Sequence, residues 1–380
     1  MLSIGPREIA AAVRVLAKGD LSRFHSTRVS ETTRFERELA TTMGTAHALA
    51  VNSGTSALIC ALVGAGIGPG DEVLVPAYTW VSTAAAPLAV GAVPVLVDID
   101  ESLMIDPVDI KRKITSATRA IMPVHMLNLV CDMTAVMAIA REHDLVVIED
   151  ACQAIGVRYQ GQRVGAIGDA GAFSFNQHKN IKSGEGGALL TDSSRLHARA
   201  GMYHDVGSYE RAERFESDEP VFVGINARMP ELLAAIMRPQ LRRLDAQLEL
   251  RKKRRSMVLE RLHQIRGLDF HVTPHHDPPN AVGIAISFDD PAEAIAFGRT
   301  KGARRLIDTG RHVYTNWQPI ISRHPQHPRL DPYKWAERDI KHDEESCQRT
   351  LEILACTCTI ELAPEIPGPV FNQLAKRFGR

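Results

Sequence analysis

The chain has 380 residues and carries 45 lysines and arginines against 45 aspartates and glutamates, so its formal net charge at pH 7 is zero. This balance favours neither a nucleic-acid partner nor an anionic membrane. The chain exceeds the roughly 250–300 residues at which a single hydrophobic core stops growing, which predicts two lobes. The N-terminal stretch lacks a secretory signal, and no apolar run approaches the ~18 residues of a membrane span. We therefore expect a cytoplasmic protein without nucleic-acid or membrane partners.

Metal and disulfide sites find no support in the cysteine pattern. The six cysteines follow no framework spacing and stand at positions 60, 131, 152, 347, 356 and 358. Cys356 and Cys358 are too close together, and lack the companions, for a zinc site. We expect free, buried thiols in a reducing compartment and no bound metal.

From about residue 35 onwards, short apolar strands alternate with helices. The segments AHALAVNS, DEVLVPA, VPVLVDI, RAIMPVHM, LVVIEDA and GAFSFN predict strands, and GTSALICALVGAGI and MTAVMAIAREH predict helices. Val/Ile/Leu-rich strands separated by helices are typical of a mainly parallel sheet with both faces covered. We predict an α/β fold with an N-terminal helical segment at 1–25, a large domain at 26–240 and a smaller α+β domain at 241–380.

Residues that can bind ligands or take part in catalysis follow several strands at their carboxyl ends, where open parallel sheets bind ligands. Gly54, Thr55 and Ser56 follow the first strand and lead into a helix. This arrangement can bind phosphate, or it can be an ordinary helix cap. Asp150 ends another strand, with Gln153 one helical turn further on. A buried carboxylate needs a cation or hydrogen-bond donors, unless it caps a helix formed by ACQAIG.

A lysine lies among tight turns near the same edge. Ser174 is in the strand GAFSFN, Lys179 follows five residues later, and GEGG at 184–187 lets the backbone pass close to a ligand. Trp80 follows another strand and offers a flat ring, and spacing alone does not exclude Lys182. Pyridoxal 5′-phosphate needs a lysine for its Schiff base, a carboxylate for its ring nitrogen and donors for its phosphate. We therefore expect this cofactor.

Six segments, taken in order, resemble the motifs of one known family. SGTSAL, PAYTWVSTA, VDID, IEDACQAIG, GDAGAFSFNQHKNIKSGEGGALLT and GINARMPELLAAI are similar to those of the DegT/DnrJ/EryC1/StrS aminotransferases, from about residue 35 to 236. Its members are fold-type I, pyridoxal-phosphate-dependent transferases that aminate keto sugars and aminocyclitols. The resemblance implies a seven-stranded sheet between helices, glutamate or glutamine as amino donor, and a keto sugar, keto-cyclitol or related carbonyl compound as acceptor. It also implies a homodimer with two shared active sites.

The resemblance assigns roles to individual residues. It implies that Lys179, and not Lys182, forms the Schiff base, and that Asp150 pairs with the pyridine nitrogen. Gln153 matches a side chain near the phenolic oxygen of the cofactor, and Trp80 matches the ring stacked on the pyridine. The phosphate matches are Gly54, Thr55, Ser56 and Ser174 within one subunit, and Asn226 from the neighbouring subunit. Asn226 could instead cap the helix that starts near Pro230.

Two stretches depart from the family's usual motifs. Many members carry a glycine-bearing Tyr-Gly motif after the fourth strand, where this chain has VHMLNLVCDM at 124–133. Many also have AALGLAQL where this chain has AAIMRPQL, so we expect Pro239 to end or kink that helix. The first departure lies near substrate and the second affects packing.

Three other functions compete with amine transfer. A sugar dehydratase of the same family carries histidine in place of the lysine, whereas here His178 stands beside Lys179. A catalytically silent regulatory paralogue would bind the cofactor without turnover. A plain nucleotide-binding α/β protein would leave Lys179 and GEGG unexplained.

Overall fold

The computed structural model describes residues 4–24, 29–207, 219–362 and 366–375. The first elements are α1 (Pro6–Lys18), α2 (Glu31–Met43), β1 (His47–Val51), α3 (Gly54–Ala65), β2 (Glu72–Pro76), α4 (Ser82–Ala89), β3 (Val93–Val97), α5 (Pro107–Lys113), β4 (Thr118–Ile121), α6 (Met133–Glu142) and β5 (Val146–Asp150). They are followed by β6 (Arg158–Tyr159), β7 (Gln162–Arg163), β8 (Ala170–Ser174), β9 (Gly187–Thr191), α7 (Ser194–His204), α8 (Glu231–Leu241) and α9 (Leu244–Leu262). The last are β10 (His271–Val272), β11 (Ala285–Ser287), α10 (Pro291–Gly298), β12 (Ala303–Arg305), α11 (Gln318–Ile321), α12 (Gln348–Cys356), β13 (Thr357–Ile360) and α13 (Gly368–Ala375).

Seven strands form the central sheet, in the order β1-β9-β8-β5-β4-β2-β3. The five strands from β8 to β3 run parallel, and β9 runs antiparallel to both of its neighbours, β1 and β8. The prediction of a mainly parallel seven-stranded sheet is confirmed. The run GALLT was not predicted as a strand, and it forms β9.

Apolar side chains and helices cover both faces of this sheet. Successive side chains of a strand point to opposite faces, so Leu74 joins one hydrophobic cluster while Val73 and Val75 join the other. Helices α2, α5, α6 and α8 contribute to the first cluster, and α3, α4 and α7 to the second. Fully burying each large aliphatic side chain contributes about 1.5–3 kcal/mol, so the sheet is a rigid base for a site at its edge.

A smaller sheet follows in the C-terminal part of the chain. Its four antiparallel strands lie in the order β10-β11-β13-β12. Ile286 and Cys358 from this sheet pack with Val258 of α9 and Phe297 of α10 in a separate cluster. The predicted C-terminal α+β region is therefore present, while the proposed domain boundaries at 25/26 and 240/241 stay a prediction.

Two further observations concern the helices. Helix α8 continues past Pro239 to Leu241, so this proline does not end the helix. Pro239 lies in the last turn, where the loss of one backbone donor removes only one intrahelical hydrogen bond. None of the helices in the described parts of the chain is long and apolar enough to cross a membrane.

Candidate active site

The first turn of α3 lies directly after β1 and contains Gly54, Thr55 and Ser56. Ser53 caps the helix, and its Oγ accepts a hydrogen bond of 3.0 Å from the Ser56 N–H. The first N–H groups of a helix have no partner within it, and together with the helix dipole they favour an anion. Helix capping and anion binding are thus compatible here. Ser53 accepts a hydrogen bond from the N–H of Ser56, and the N–H groups of Gly54 and Thr55 remain for an anion.

Gly54 brings this turn against the end of β8. A Cβ at position 54 would lie 2.8 Å from the Ser174 Cβ and 3.0 Å from the Cys152 Sγ, so only glycine fits without movement. The Thr55 hydroxyl donates to Ser82 Oγ at the start of α4, over 2.9 Å. The structure therefore brings the N-terminus of α3 together with Ser174, as the sequence predicted. Their role in phosphate binding stays a prediction.

Asp150 ends β5 and is only 4% exposed. Its Oδ2 accepts a hydrogen bond of 2.7 Å from the Thr83 hydroxyl, and its Oδ1 accepts one of 3.1 Å from the Cys152 N–H. Neither donor is a cation, so the buried negative charge can still pair with a cationic group of a ligand. Residues 151–156 form turns and no helix, so the alternative that Asp150 caps a helix is wrong.

The neighbouring residue, Glu149, holds the end of β5 through hydrogen bonds to the loop before β8 and to His125. Its completely buried carboxylate accepts four hydrogen bonds, which come from the backbone N–H groups of Gly165, Ile167 and Gly168, each at 2.7 Å, and from His125 Nε2 at 3.0 Å. The Nδ1 of His125 accepts a hydrogen bond from the Cys131 N–H, so Nε2 carries the proton. No local sequence pattern indicates this arrangement, because His125 and Glu149 are brought together only by the pairing of adjacent strands.

Lys179 lies half-buried in the turn between β8 and β9, and its N–H donates to the Asn176 carbonyl over 3.0 Å. Burial and then the Asp150 carboxylate raise the pKa of the Cys152 thiol, and the Lys179 ammonium opposes this shift. The lysine is thus within electrostatic reach of the end of β5. The backbone of Lys182 is held instead by the Gln240 side chain of α8, with hydrogen bonds of 3.0 and 2.8 Å. These contacts favour Lys179 over Lys182 as the lysine of the site.

Gln153 lies on the same side of the sheet, although not on a helix as expected. Its Oε1 accepts a hydrogen bond of 3.2 Å from the Leu127 N–H, and its Nε2 donates to the Met126 Sδ over 3.4 Å. The amide therefore contacts the divergent stretch at 124–133. Its predicted place near a cofactor oxygen is untested.

Trp80 lies at the mouth of the site, with 41% of its surface exposed. The centroid of its ring is 5.3 Å from that of His312, and the Arg311 Cζ lies 6.0 Å from it. The backbone explains this proximity, because the Thr79 N–H donates to the His312 carbonyl over 3.0 Å. A segment of the C-terminal part thus runs beside the carboxyl end of β2.

His312 is a site residue that the sequence analysis missed. Burial lowers its pKa, and the nearby charges of Lys179 and Arg304 act in the same direction, whereas the hydrogen bond to the Thr309 carbonyl opposes them. At neutral pH the imidazole is therefore uncharged. No local signal could have found it, because 232 positions separate it from Trp80 and only the fold brings them together.

Asn226 lies on the surface of the single chain. Its Oδ1 accepts a hydrogen bond of 3.3 Å from the Arg228 N–H. The N-cap position of α8 is occupied by Pro230, so the alternative that Asn226 caps this helix is wrong. The Ala227 carbonyl accepts from the Asn52 N–H over 2.8 Å, which places this segment beside the loop that precedes α3.

Comparisons with known proteins identify the family of this chain. The model of the DegT/DnrJ/EryC1/StrS aminotransferase family matches residues 3–353. The spore coat polysaccharide biosynthesis protein SpsC of Bacillus subtilis is 40% identical over 282 residues, which are 72% of this chain and 70% of that relative. The L-glutamine:2-deoxy-scyllo-inosose aminotransferase of Streptoalloteichus tenebrarius is 41% identical over 234 residues, which are 59% of this chain and 55% of that relative.

A solved structure extends the similarity to nearly the whole chain. The aminotransferase from Psychrobacter cryohalolentis has a TM-score of 0.80 at 25% identity, with 98% of this chain and 96% of that chain covered. The resemblance seen in the sequence motifs is thereby confirmed at the level of the family and the fold. Because the family model spans most of its length, the chain belongs to the DegT/DnrJ/EryC1/StrS aminotransferase family.

Proposed function

We propose that this chain is a pyridoxal-phosphate-dependent aminotransferase. It moves an amino group from glutamate or glutamine to a keto sugar (nucleotide-linked or free), a keto-cyclitol or a related carbonyl compound. The observation that carries the proposal is the convergence of Lys179, Asp150 and the first turn of α3 at one edge of the sheet. Family membership supports amine transfer, and a relative named for glutamine and an inosose supports this donor and this class of acceptor.

The chemistry of the residues at the site fits pyridoxal 5′-phosphate. The lack of a side chain at Gly54 lets the N-terminus of α3 lie close to Ser174, and the two together would bind the phosphate. The buried carboxylate of Asp150 would pair with the protonated ring nitrogen, and the Trp80 ring would stack on the pyridine. Lys179 would hold the cofactor covalently. When bound, the cofactor supplies an electron sink for the carbanionic charge that develops during amine transfer.

The side chains of the chain itself move protons and orient the substrates. Lys179 Nζ, once free, would move a proton from the amine-bearing carbon of the donor to C4′ of the cofactor, and in the second half of the reaction from C4′ to the carbonyl carbon of the acceptor. Thr83 and the Cys152 N–H keep the Asp150 carboxylate in one orientation. The acceptor would bind beside the contacting rings of Trp80 and His312, where an uncharged imidazole offers a hydrogen-bond partner without repelling the lysine.

The competing functions have less support. A dehydratase of this family would carry histidine at the Schiff-base position, whereas Lys179 occupies it and His178 is exposed. A catalytically silent paralogue would not require the lysine, the hydrogen-bonded carboxylate and the close-packed glycine together. No observation on the described residues favours either function over amine transfer.

We infer that the enzyme is a cytoplasmic homodimer with shared sites. Val221, Val223 and Ile225 expose apolar side chains on the segment that leads to Asn226. Exposed apolar residues on one segment are typical of a surface that a partner covers. A second subunit that covers this segment would also lie near Asn226, and the resemblance to the family implies that Asn226 then reaches the phosphate of its partner's site.

The test combines amine transfer with mapping of the lysine. The purified protein, loaded with pyridoxal 5′-phosphate, is given labelled glutamine or glutamate and a panel of keto sugars and keto-cyclitols. We expect label in one acceptor class and a borohydride-reducible link at Lys179. Lys179→Ala should lose this link and Lys182→Ala should keep it. A link mapped to Lys182, or no transfer to any acceptor, would overturn the proposal.

A further inference from the structure

Residues 125–128 lie between β4 and α6 and contact the candidate site at several points. Besides the bonds of His125 to Glu149 and of Met126 to Gln153, hydrogen bonds run from the His125 N–H to the Asp150 carbonyl (3.0 Å), from the Leu127 N–H to Gln153 Oε1 (3.2 Å) and from Asn180 Nδ2 to Asn128 Oδ1 (2.6 Å). The segment therefore contacts both the end of β5 and the turn that carries Lys179. We call residues 125–128 the bridging segment.

The backbone of the bridging segment adopts an unusual conformation. Leu127 has φ 56° and ψ 27°, and Asn128 has φ 61°, so two consecutive residues with side chains are left-handed. Such a conformation costs free energy and persists only where the surroundings hold it. Gly283, shortly before β11, packs closely against the backbone of Leu127, since a Cβ at position 283 would lie 2.1 Å from the Leu127 carbonyl oxygen. Asparagine tolerates this backbone better than most residues with a side chain.

The bond between Asn128 and Asn180 reaches the residue next to Lys179. Asn180 is 6% exposed, so its amide is largely removed from water. Its Nδ2 has only one other contact among the described residues, a long one of 3.4 Å to the Ile155 carbonyl. On the other side, the Lys179 N–H is bonded to the Asn176 carbonyl. The backbone at Lys179 is thus held on both sides, and Asn128 supplies the only short side-chain bond described for the Asn180 amide.

We propose that Asn128 is a positioning residue for Lys179. Its amide oxygen holds Asn180 and so fixes the turn from which the Lys179 amine reaches the site. The strained backbone at Asn128 is the conformation that aims the amide at Asn180. The inference rests on the proposed role of Lys179, and the outcomes below distinguish a failure of that role from a failure of this inference.

The test measures how fast the apoprotein forms a borohydride-reducible adduct with added pyridoxal 5′-phosphate, with the adduct mapped to Lys179 by mass spectrometry. Asn128→Gly keeps a backbone that suits positive φ and removes only the amide. We expect the adduct to form about 3- to 10-fold more slowly, the effect of one lost hydrogen bond. The thermal midpoint should stay within about 3 °C of that of the native protein. Asn128→Asp keeps the acceptor oxygen and should restore most of the rate.

Leu127→Gly is the matched control, because Leu127 is equally left-handed but has no side-chain bond to Asn180. Its rate should equal that of the native protein. Asn180→Ala should slow the adduct as Asn128→Gly does, and the double variant should be no slower than either single one. Equal slowing by Leu127→Gly and Asn128→Gly, or a normal rate in Asn128→Gly, would overturn the inference. No adduct at Lys179 in the native protein would instead overturn the proposed function.

Discussion

The Thr83 hydroxyl donates a hydrogen bond of 2.7 Å to the Asp150 carboxylate, so the first turn of α4 orients the acid that ends β5. Both residues are buried, which makes the geometry of this pair rigid. A bond to a charged group contributes about 1.5–3 kcal/mol, more than a bond between neutral groups. Thr83 therefore belongs to the candidate site, although the sequence analysis did not single it out.

Replacing Thr83 by valine keeps the shape of the side chain and removes the donor. We expect the kcat of amine transfer to fall about tenfold, because the carboxylate loses one of its two hydrogen bonds. Thr83→Ser keeps the hydroxyl and is the matched control, with activity near that of the native enzyme. Equal rates in the valine and serine variants would show that this bond does not orient Asp150 for catalysis.

Asp150→Asn replaces the carboxylate by an amide of nearly the same shape. The variant should still bind the cofactor but transfer the amine far more slowly, since an amide cannot stabilise a pyridinium charge. Mispairing a buried charge costs ~3–5 kcal/mol, which corresponds to at least a hundredfold loss of rate. Cofactor absorbance measures binding of the cofactor, and single-turnover kinetics measure the rate of amine transfer. Near-normal turnover would mean that Asp150 only organises the turn at Cys152.

Gly54→Ala tests the close approach of α3 to Ser174. The added Cβ would lie 2.8 Å from the Ser174 Cβ, so the first turn of the helix must move away. We expect the affinity for pyridoxal 5′-phosphate to fall tenfold or more, measured by fluorescence titration of the apoprotein. Gly68→Ala is the control, because the nearest atom to its Cβ would be 3.7 Å away. Native affinity in Gly54→Ala would remove this turn from the phosphate site.

The sequence predicted the sheet well because its strands are buried on both faces and contain near-continuous apolar runs, as in EVLVP of β2 and VPVLV of β3. Prediction from the sequence failed where a side-chain hydrogen bond overrides the local secondary-structure pattern. Residues 151–156 have a helical pattern, yet the Asp150 carboxylate bonds the Cys152 N–H and the chain turns instead. It also failed for His312, whose place depends on long-range pairing with the segment after β2.

His197 provides a test of stability against pH. Burial, and then the neighbouring His47, lower its pKa from 6.5 to about 3. The imidazole of His197 therefore binds a proton at a higher pH in the unfolded chain than in the folded protein. The free energy of unfolding should fall as pH decreases from about 6.5 towards 3. His197→Gln should show a shallower fall over this window in urea titrations, whereas an identical pH dependence in both proteins would contradict the assignment.

The last prediction concerns the shared site. Asn226 is exposed in the single chain, and our proposal is that it reaches the phosphate of the neighbouring subunit. If so, a site combines Lys179 of one chain with Asn226 of the other. Lys179→Ala lacks the amine, and Asn226→Asp places a carboxylate beside the phosphate, which repels it. We expect each variant alone to be inactive as a homodimer, and assays of the separate proteins check this first.

Mixing the two variants under conditions of subunit exchange creates heterodimers, and one of the two sites in each heterodimer then carries both native residues. Random exchange at equal concentrations should restore about a quarter of the native activity, because half of the dimers are mixed and each has one intact site. Native mass spectrometry of differently tagged chains measures the exchange independently. Mixed dimers without activity would show that Asn226 acts within its own chain, and restored activity would establish that the two subunits build each site together.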